Sequence, residues 1–263
     1  MIDRREWEGK VHVGDCLEIM RGWEDGCAQL CVTSPPYNAG MDYGEGIDDE
    51  IPWERYWSWA RDWLHSVYEV LCVGGRLCLN VPAVMWRSPS EPVAARYHVI
   101  ASDSGFLTRG EIVWDKGPSR RGSCAWGSWL SHANPSLRDG HEMILVFSKV
   151  SYDLPNPRAE RADLEPQDFM RDTYSIWRIN PERARDHPAP FPVALAGRLI
   201  KLYSWPGDLV IDPFAGSGST GVAAANLGRS FLGCEISEEY VALAEARIAR
   251  EREKLQLPLG ATQ

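Results

Sequence analysis

The sequence predicts a three-layer α/β fold, a mostly parallel sheet covered by helices on both faces. Short apolar runs alternate with segments of helical period, the pattern of strand–helix–strand units. A glycine-rich loop at 212–221 follows one such run and opens one such segment. The 263 residues are enough for one large core.

The runs at 11–13, 29–33, 75–81, 111–114, 143–147, 208–211 and 230–234 read as buried strands. Between them, 53–71 carries Tyr56, Trp57, Ala60, Leu64, Val67, Tyr68 and Leu71 near a 3.6-residue period, and Gly74-Gly75 stands where a helix stop is expected. Residues 191–203 form a second helix, halted by Pro206-Gly207; 220–227 form a third and 238–255 a fourth. Two stretches break the rhythm. Residues 117–140 are rich in Gly, Ser, Trp and Arg, and 151–190 hold many prolines and charges. Both read as long functional loops or a small irregular lobe on a single domain spanning 1–263. Residues 256–263 read as a frayed tail.

Composition limits function. Hydrophobic residues make up 44% and charged residues 25%, which excludes disorder, collagen and coiled coil. Lys plus Arg number 28 and Asp plus Glu 37, a net charge of −9 that at first sight argues against nucleic acid. There is no apolar run of 18 residues, and the charged first ten residues lack an apolar core, so neither a membrane span nor a signal peptide is expected. The seven cysteines form no C-x-x-C. Cys31, Cys72, Cys78 and Cys234 lie in apolar runs and read as reduced, buried thiols of a cytoplasmic protein with no metal.

The strongest local signal is Asp212-Pro213-Phe214-Ala215-Gly216-Ser217-Gly218-Ser219-Thr220-Gly221. Gly216, Gly218 and Gly221 spell G-x-G-x-x-G, and Glu235 ends the next strand, where a ribose-binding carboxylate belongs. A nicotinamide oxidoreductase is therefore one reading. Chain order points elsewhere. Only one strand and one long helix follow Gly221, so the cofactor half comes last, a permuted order. Asp212 beside an ammonium and Glu235 on ribose hydroxyls suit S-adenosylmethionine, whereas two carboxylates would face a pyrophosphate badly.

The second signal is Thr33-Ser34-Pro35-Pro36-Tyr37-Asn38 at a strand end. Two prolines hold the backbone extended and remove two N–H donors, leaving carbonyl acceptors beside the Ser34 hydroxyl. An exocyclic amine donates to such acceptors, and Tyr37 offers a face on which a base can stack.

Ser34-Pro35-Pro36-Tyr37 together with Phe214-x-Gly216-x-Gly218 resembles the β group of amino-methylating DNA methyltransferases, which act on N4 of cytosine or N6 of adenine. The resemblance extends over most of the chain. Val13-Gly14-Asp15-Cys16-Leu17-Glu18 is similar to the family segment before the catalytic motif, and His187-Pro188-Ala189-Pro190-Phe191-Pro192 to the one entering the helix before the glycine loop. Phe191 stands where many relatives carry Lys. The resemblance implies a seven-stranded Rossmann-like sheet of the S-adenosylmethionine-dependent type, with Asp15, Cys16, His187, Asp212, Phe214, Gly216, Gly218, Thr220 and Glu235 at the cofactor. It implies a flipped base, its amine held by Ser34 and the Pro35 carbonyl, with Pro36 shaping the loop and Tyr37 stacking. Ser in the first position is the habit of N4-cytosine enzymes, Asp that of N6-adenine enzymes.

DNA contact is expected in 117–140, with Lys116, Arg120 and Arg121 beside Trp126 and Trp129, and in 151–186, with Arg178 and Arg183 near Trp177. Residues 109–121 are locally positive, and six carboxylates lie between Asp42 and Glu54, read as a solvated flap. The expected partners are DNA, a second copy of the chain and a separately encoded restriction endonuclease. A catalytically inert DNA-binding subunit on the same scaffold is the rival of another class.

Overall fold

A computed structural model describes residues 9–41, 49–86, 89–117, 127–137, 139–154, 162–182 and 191–256. The described strands are β1 (Lys10–Val13), β2 (Ala28–Thr33), β3 (Leu71–Val81), β4 (Phe106–Asp115), β5 (His141–Lys149), β6 (Ile176–Arg178), β7 (Leu209–Asp212) and β8 (Ser230–Glu235). The helices are α1 (Cys16–Met20), α2 (Trp53–Val70), α3 (Val93–Asp103), α4 (Pro166–Asp172), α5 (Val193–Tyr203), α6 (Ser219–Asn226) and α7 (Glu238–Gln256).

All eight strands form one sheet in the order β1-β8-β7-β2-β3-β5-β4-β6. The pairs β1–β8, β8–β7, β7–β2, β2–β3 and β4–β6 are parallel, and only β5 runs against its neighbours. The sequence implies seven strands; the eighth is β6, three residues at the sheet edge. Strand alternation sorts the core into two layers. Leu77, Leu79, Val81, Leu145 and Phe147 pack under α1, α2 and α3. Cys78, Ile144, Val146, Val32 and Val210 pack under α5, α6 and α7.

Helix α2 buries Tyr56, Trp57, Ala60, Leu64 and Val67 of the predicted stripe together with Trp63 and Val70, while Tyr68 is half-buried and Leu71 opens β3. It does not stop at Gly74-Gly75. It ends at Val70 and passes directly into β3, so both glycines lie in the strand. They serve a bulge: the β2–β3 register jumps between Ala28 and Leu30. Gly74 has φ +74°, and a Cβ there would lie 2.0 Å from the Asp153 carbonyl oxygen.

The stretch 151–186 is less irregular than expected. It contains α4 and β6, and Trp177 of β6 is fully buried. Asp172, also buried, is gripped by Arg171 and Arg198, and Arg198 lies 4.1 Å over the Trp177 ring. Gln256 closes α7 rather than beginning a tail; 257–263 lie outside the described residues.

Helix α6, after β7, and helix α2, after β2, cover opposite faces. The connections therefore diverge between β7 and β2. That divergence opens a crevice at the carboxyl ends of the strands, where ligands bind in open α/β sheets.

Candidate active site

Both sequence signals converge on that crevice. Thr33 ends β2 and Asp212 ends β7, and the Thr33 hydroxyl donates to Asp212 Oδ1 at 2.7 Å. The Thr220 hydroxyl donates to Asp212 Oδ2 at 2.7 Å, and the Phe214 N–H to Oδ1 at 3.0 Å. Burial pushes the Asp212 carboxyl up to about 6, against the lowering effect of these three donors. Asp212 and Thr220 are thus braces that lock the glycine loop to the catalytic strand. The expected contact between Asp212 and a ligand ammonium is not what this placement offers, because its oxygens are occupied and it is buried.

The loop after Ser34 is rigid for reasons the sequence partly hid. Asn38 takes φ 57°. Its side chain accepts from the Ile51 N–H at 2.8 Å and donates to the Ile51 carbonyl at 2.9 Å. Asp49 accepts from the backbone N–H groups of Asn38, Ala39 and Met41 at 2.8, 3.0 and 3.1 Å. Asp49 is buried, so this part of the acidic run is a clasp rather than a solvated flap; 42–48 lie outside the described residues. The Tyr56 hydroxyl donates to the Pro36 carbonyl at 2.7 Å and meets the Tyr97 hydroxyl at 2.8 Å.

Beside this loop lies a polar network that no sequence motif announces. The Ser34 and Tyr37 hydroxyls are 2.7 Å apart. Asn80 Nδ2 donates to Tyr37 Oη at 2.7 Å, to Glu142 Oε2 at 2.7 Å and toward Ser34 Oγ at 3.4 Å. The Tyr37 hydroxyl also reaches Glu142 Oε2 at 3.2 Å. Lys116 pairs with the other oxygen of Glu142 and sits 4.6 Å over the Trp114 ring. The expectation that Lys116 meets DNA is corrected here: it is buried just past the end of β4, 4% exposed. Asn80 and Glu142 are legible in the sequence only as lone polar residues, one within the apolar run Leu77–Val81 and one just before Met143–Phe147.

The cofactor side is built from three strand ends. Gly14 N–H donates to the Glu235 carbonyl at 2.9 Å, which sets β1 and β8 in step. Asp15 is exposed there and caps α1 through the Leu17 N–H at 2.7 Å. Glu235 accepts from the Gly216 N–H at 2.9 Å with one oxygen and from the Ser237 N–H at 2.9 Å with the other. Burial raises its pKa. Gly216 and Gly218 take φ 49° and 81°, the turn a side chain would resist. Cys16 is turned into the core, its thiol pushed up to about 12 by burial, so its side chain does not face the crevice. Phe214 packs its ring 5.4 Å from Trp59 and 5.3 Å from Trp63. The two carboxylates at the crevice, Asp15 and Glu235, fit a ligand bearing hydroxyls and a cation, as S-adenosylmethionine does. His187 lies outside the described residues.

Of the residues expected at DNA, Arg120, Arg121, Trp126 and Arg183 also lie outside them. Arg178 is exposed and paired with Asp115 at 2.7 Å. Trp129 is 64% exposed, in a turn where Gly127 bridges to Pro135.

A permuted sheet, a glycine loop at its crevice and Ser-Pro-Pro-Tyr one strand away together define an S-adenosylmethionine-dependent methyltransferase. The family model described as DNA methylase, N6_N4_Mtase, matches residues 28–246, and the chain belongs to that family of N6/N4 DNA methyltransferases. Type II methyltransferase M.ScaI of Streptomyces caespitosus is 30% identical over 260 residues, covering 93% of this chain and 83% of its own. Type II methyltransferase M.MjaVI of Methanocaldococcus jannaschii is 36% identical over 158 residues, covering 60% of this chain and 79% of its own. TTHA0409 of Thermus thermophilus, described as a DNA modification methylase and solved with S-adenosyl-L-methionine, superposes with a TM-score of 0.75 at 30% identity, covering 97% of this chain and 99% of that one. The cofactor of this chain is S-adenosylmethionine.

Proposed function

We propose that the chain is a site-specific DNA methyltransferase acting on the exocyclic N4 amine of cytosine, after the base is flipped into the crevice. The observation that carries this reading is Ser34 itself. It stands at the first position of the motif, where the N6-adenine enzymes of the resemblance carry Asp, and its hydroxyl faces Tyr37 at 2.7 Å. A hydroxyl both accepts from an amine and donates to a neighbouring acceptor, so it can serve the amine and the adjacent ring nitrogen of the target base.

The bound S-adenosylmethionine supplies an electrophilic methyl group. The residues of the chain hold the nitrogen. Ser34, at the head of the Pro35 turn, accepts one of its hydrogens, and Tyr37 leaves its hydrogen bonds to stack on the base. Asp15 and Glu235 orient the cofactor, and Asp212 keeps the two halves of the site in register. Trp129 and Arg178, with Arg120, Arg121, Arg183 and His187 beyond them, remain the proposed contacts to DNA and cofactor. Self-association and a separate restriction endonuclease complete the proposal, the latter suggested by the type II names of the relatives.

N6-adenine is the second reading, favoured by one observation: a carboxylate, Glu142, lies in the same network as Ser34. The test is incubation with labelled cofactor and unmodified DNA, then nuclease digestion and mass spectrometry. N4-methylcytosine is expected; N6-methyladenine would install the second reading, and neither product would overturn both.

A further inference from the structure

Asn80 is placed oddly for a residue on a central strand. Its amide nitrogen sits among three oxygens, with Tyr37 Oη and Glu142 Oε2 at 2.7 Å and Ser34 Oγ at 3.4 Å. A primary amide nitrogen has two hydrogens, so three acceptors are more than it can use. Its own oxygen, Oδ1, is buried with no partner. The amide is thus held through its nitrogen alone.

The group in that nest is chemically informative. An amide NH2 is flat, is bonded to an sp2 carbon and carries two polar hydrogens. The exocyclic amine of cytosine or adenine has the same three properties.

We infer that Ser34 Oγ, Tyr37 Oη and Glu142 Oε2 form a nest that the Asn80 amide occupies when no base is bound, and that, once Tyr37 turns away to stack, Glu142 accepts one hydrogen of the target amine beside the one Ser34 takes. The inference rests on the proposed base-amine chemistry and extends it to a residue outside both sequence motifs. Glu142 is the distinctive member. The two hydroxyls can each turn their hydrogen into the nest, whereas a carboxylate only accepts. Lys116 binds the far oxygen and leaves Oε2 directed at Asn80 and Tyr37. A buried ion pair adds little stability over apolar residues of the same volume, so strand pairing alone does not call for this one. When the base enters, its amine replaces Asn80 Nδ2. The freed amide can then donate to the ring nitrogen beside the amine, which both bases present as an acceptor.

The test uses the full chain and a synthetic duplex of the site mapped from the wild-type methylation product. A second duplex carries the same site with an amine-free target base, 2-pyrimidinone for cytosine or purine for adenine. Affinities for both are measured by fluorescence anisotropy for wild type and Glu142→Gln. The preference for the amine-bearing duplex is expected to fall about tenfold in Glu142→Gln, with S-adenosylmethionine binding unchanged. An unchanged preference, or an equal loss on both duplexes, overturns the inference. If Glu142→Gln does not fold, the pair Lys116→Met with Glu142→Gln removes both buried charges and is read in the same way. Wild type that methylates no DNA fails at the mapping step and overturns the functional reading together with this one. Wild type that methylates while the variant keeps its preference overturns this inference alone.

Discussion

Asp212 shows how the partners of a side chain, rather than its place in a motif, define what it can do. Its position before the glycine loop marks it in the sequence, but its partners Thr33 and Thr220 lie 179 and 8 residues away, and neither pairing leaves a local signature. Its carboxyl is raised from 3.8 to about 6, chiefly by burial. Stability is therefore complete below about pH 4 and is lost as pH rises through about 6, by roughly 3 kcal/mol once the group is fully ionised. Asp212→Asn keeps acceptors for Thr33 and Phe214, and Thr220 can turn its hydrogen to the Val32 carbonyl at 3.4 Å. Urea denaturation at pH 5 and pH 8 should show the variant gaining on wild type at the higher pH; a constant gap would contradict the burial of the charge. Ser34→Ala is expected to lower methyl transfer about 10- to 100-fold, the loss of one or two hydrogen bonds, with cofactor affinity by calorimetry unchanged. A parallel loss of cofactor binding would move Ser34 out of the base pocket. Asn80 and Glu142 escape the sequence because a lone polar residue in or beside an apolar run is equally the mark of a strand end. Only the folded sheet sets β3 beside β5 and turns both side chains to one face.

At the scale of elements, seven strands are legible from their apolar runs, and α2, α5, α6 and α7 from their helical period, whereas the eleven-residue α3 is not. Helices α1 and α4 and strand β6 escape the sequence as well. Helix α4 spans seven residues and β6 three, too few to establish a period. Trp177 signals burial without saying against what. Gly74-Gly75 misleads because glycine punctuates both helix ends and bulges; the difference depends on Asp153, far along the chain. Gly74→Ala combines a positive φ with a Cβ 2.0 Å from the Asp153 carbonyl oxygen. It should cost more than about 2 kcal/mol, read as a lowered denaturation midpoint, and a neutral result would mean that the bulge relaxes freely. Asp49→Ala removes the acceptor for three N–H groups of the catalytic loop. About 2–4 kcal/mol of stability should go with it, and methyl transfer should fall further than cofactor binding.

For the whole molecule, the net charge of −9 keeps its meaning as a bound on unspecific attraction. The described carboxylates at the heart of the site are internally engaged: Asp49 by backbone N–H groups, Asp212 by hydroxyls, Glu142 by Lys116. Their charge is compensated inside the protein rather than presented to a duplex. With a net charge of −9, affinity for DNA lacking the site should be weak and depend shallowly on salt. A plot of log affinity against log salt for random duplex tests this, and a steep slope of many phosphate contacts would contradict it. Membership of the family is legible from two motifs and their order, whereas the choice between cytosine and adenine turns on contacts that no motif spells out.

The sheet order has a consequence for how the protein is made. Strand β7 lies in the middle of the sheet, between β8 and β2, and β1, the first described strand to be synthesised, pairs only with β8, the last. During translation β2 therefore waits with an open edge until β7 is made, and β1 without a neighbour until β8 is made. Such distant pairing is slow and exposes unpaired strands. A chain broken off before Leu209 retains Ser-Pro-Pro-Tyr but has neither glycine loop nor Glu235. No such truncated product can modify DNA, and incomplete chains present the bare strand edges that draw chaperones and proteases.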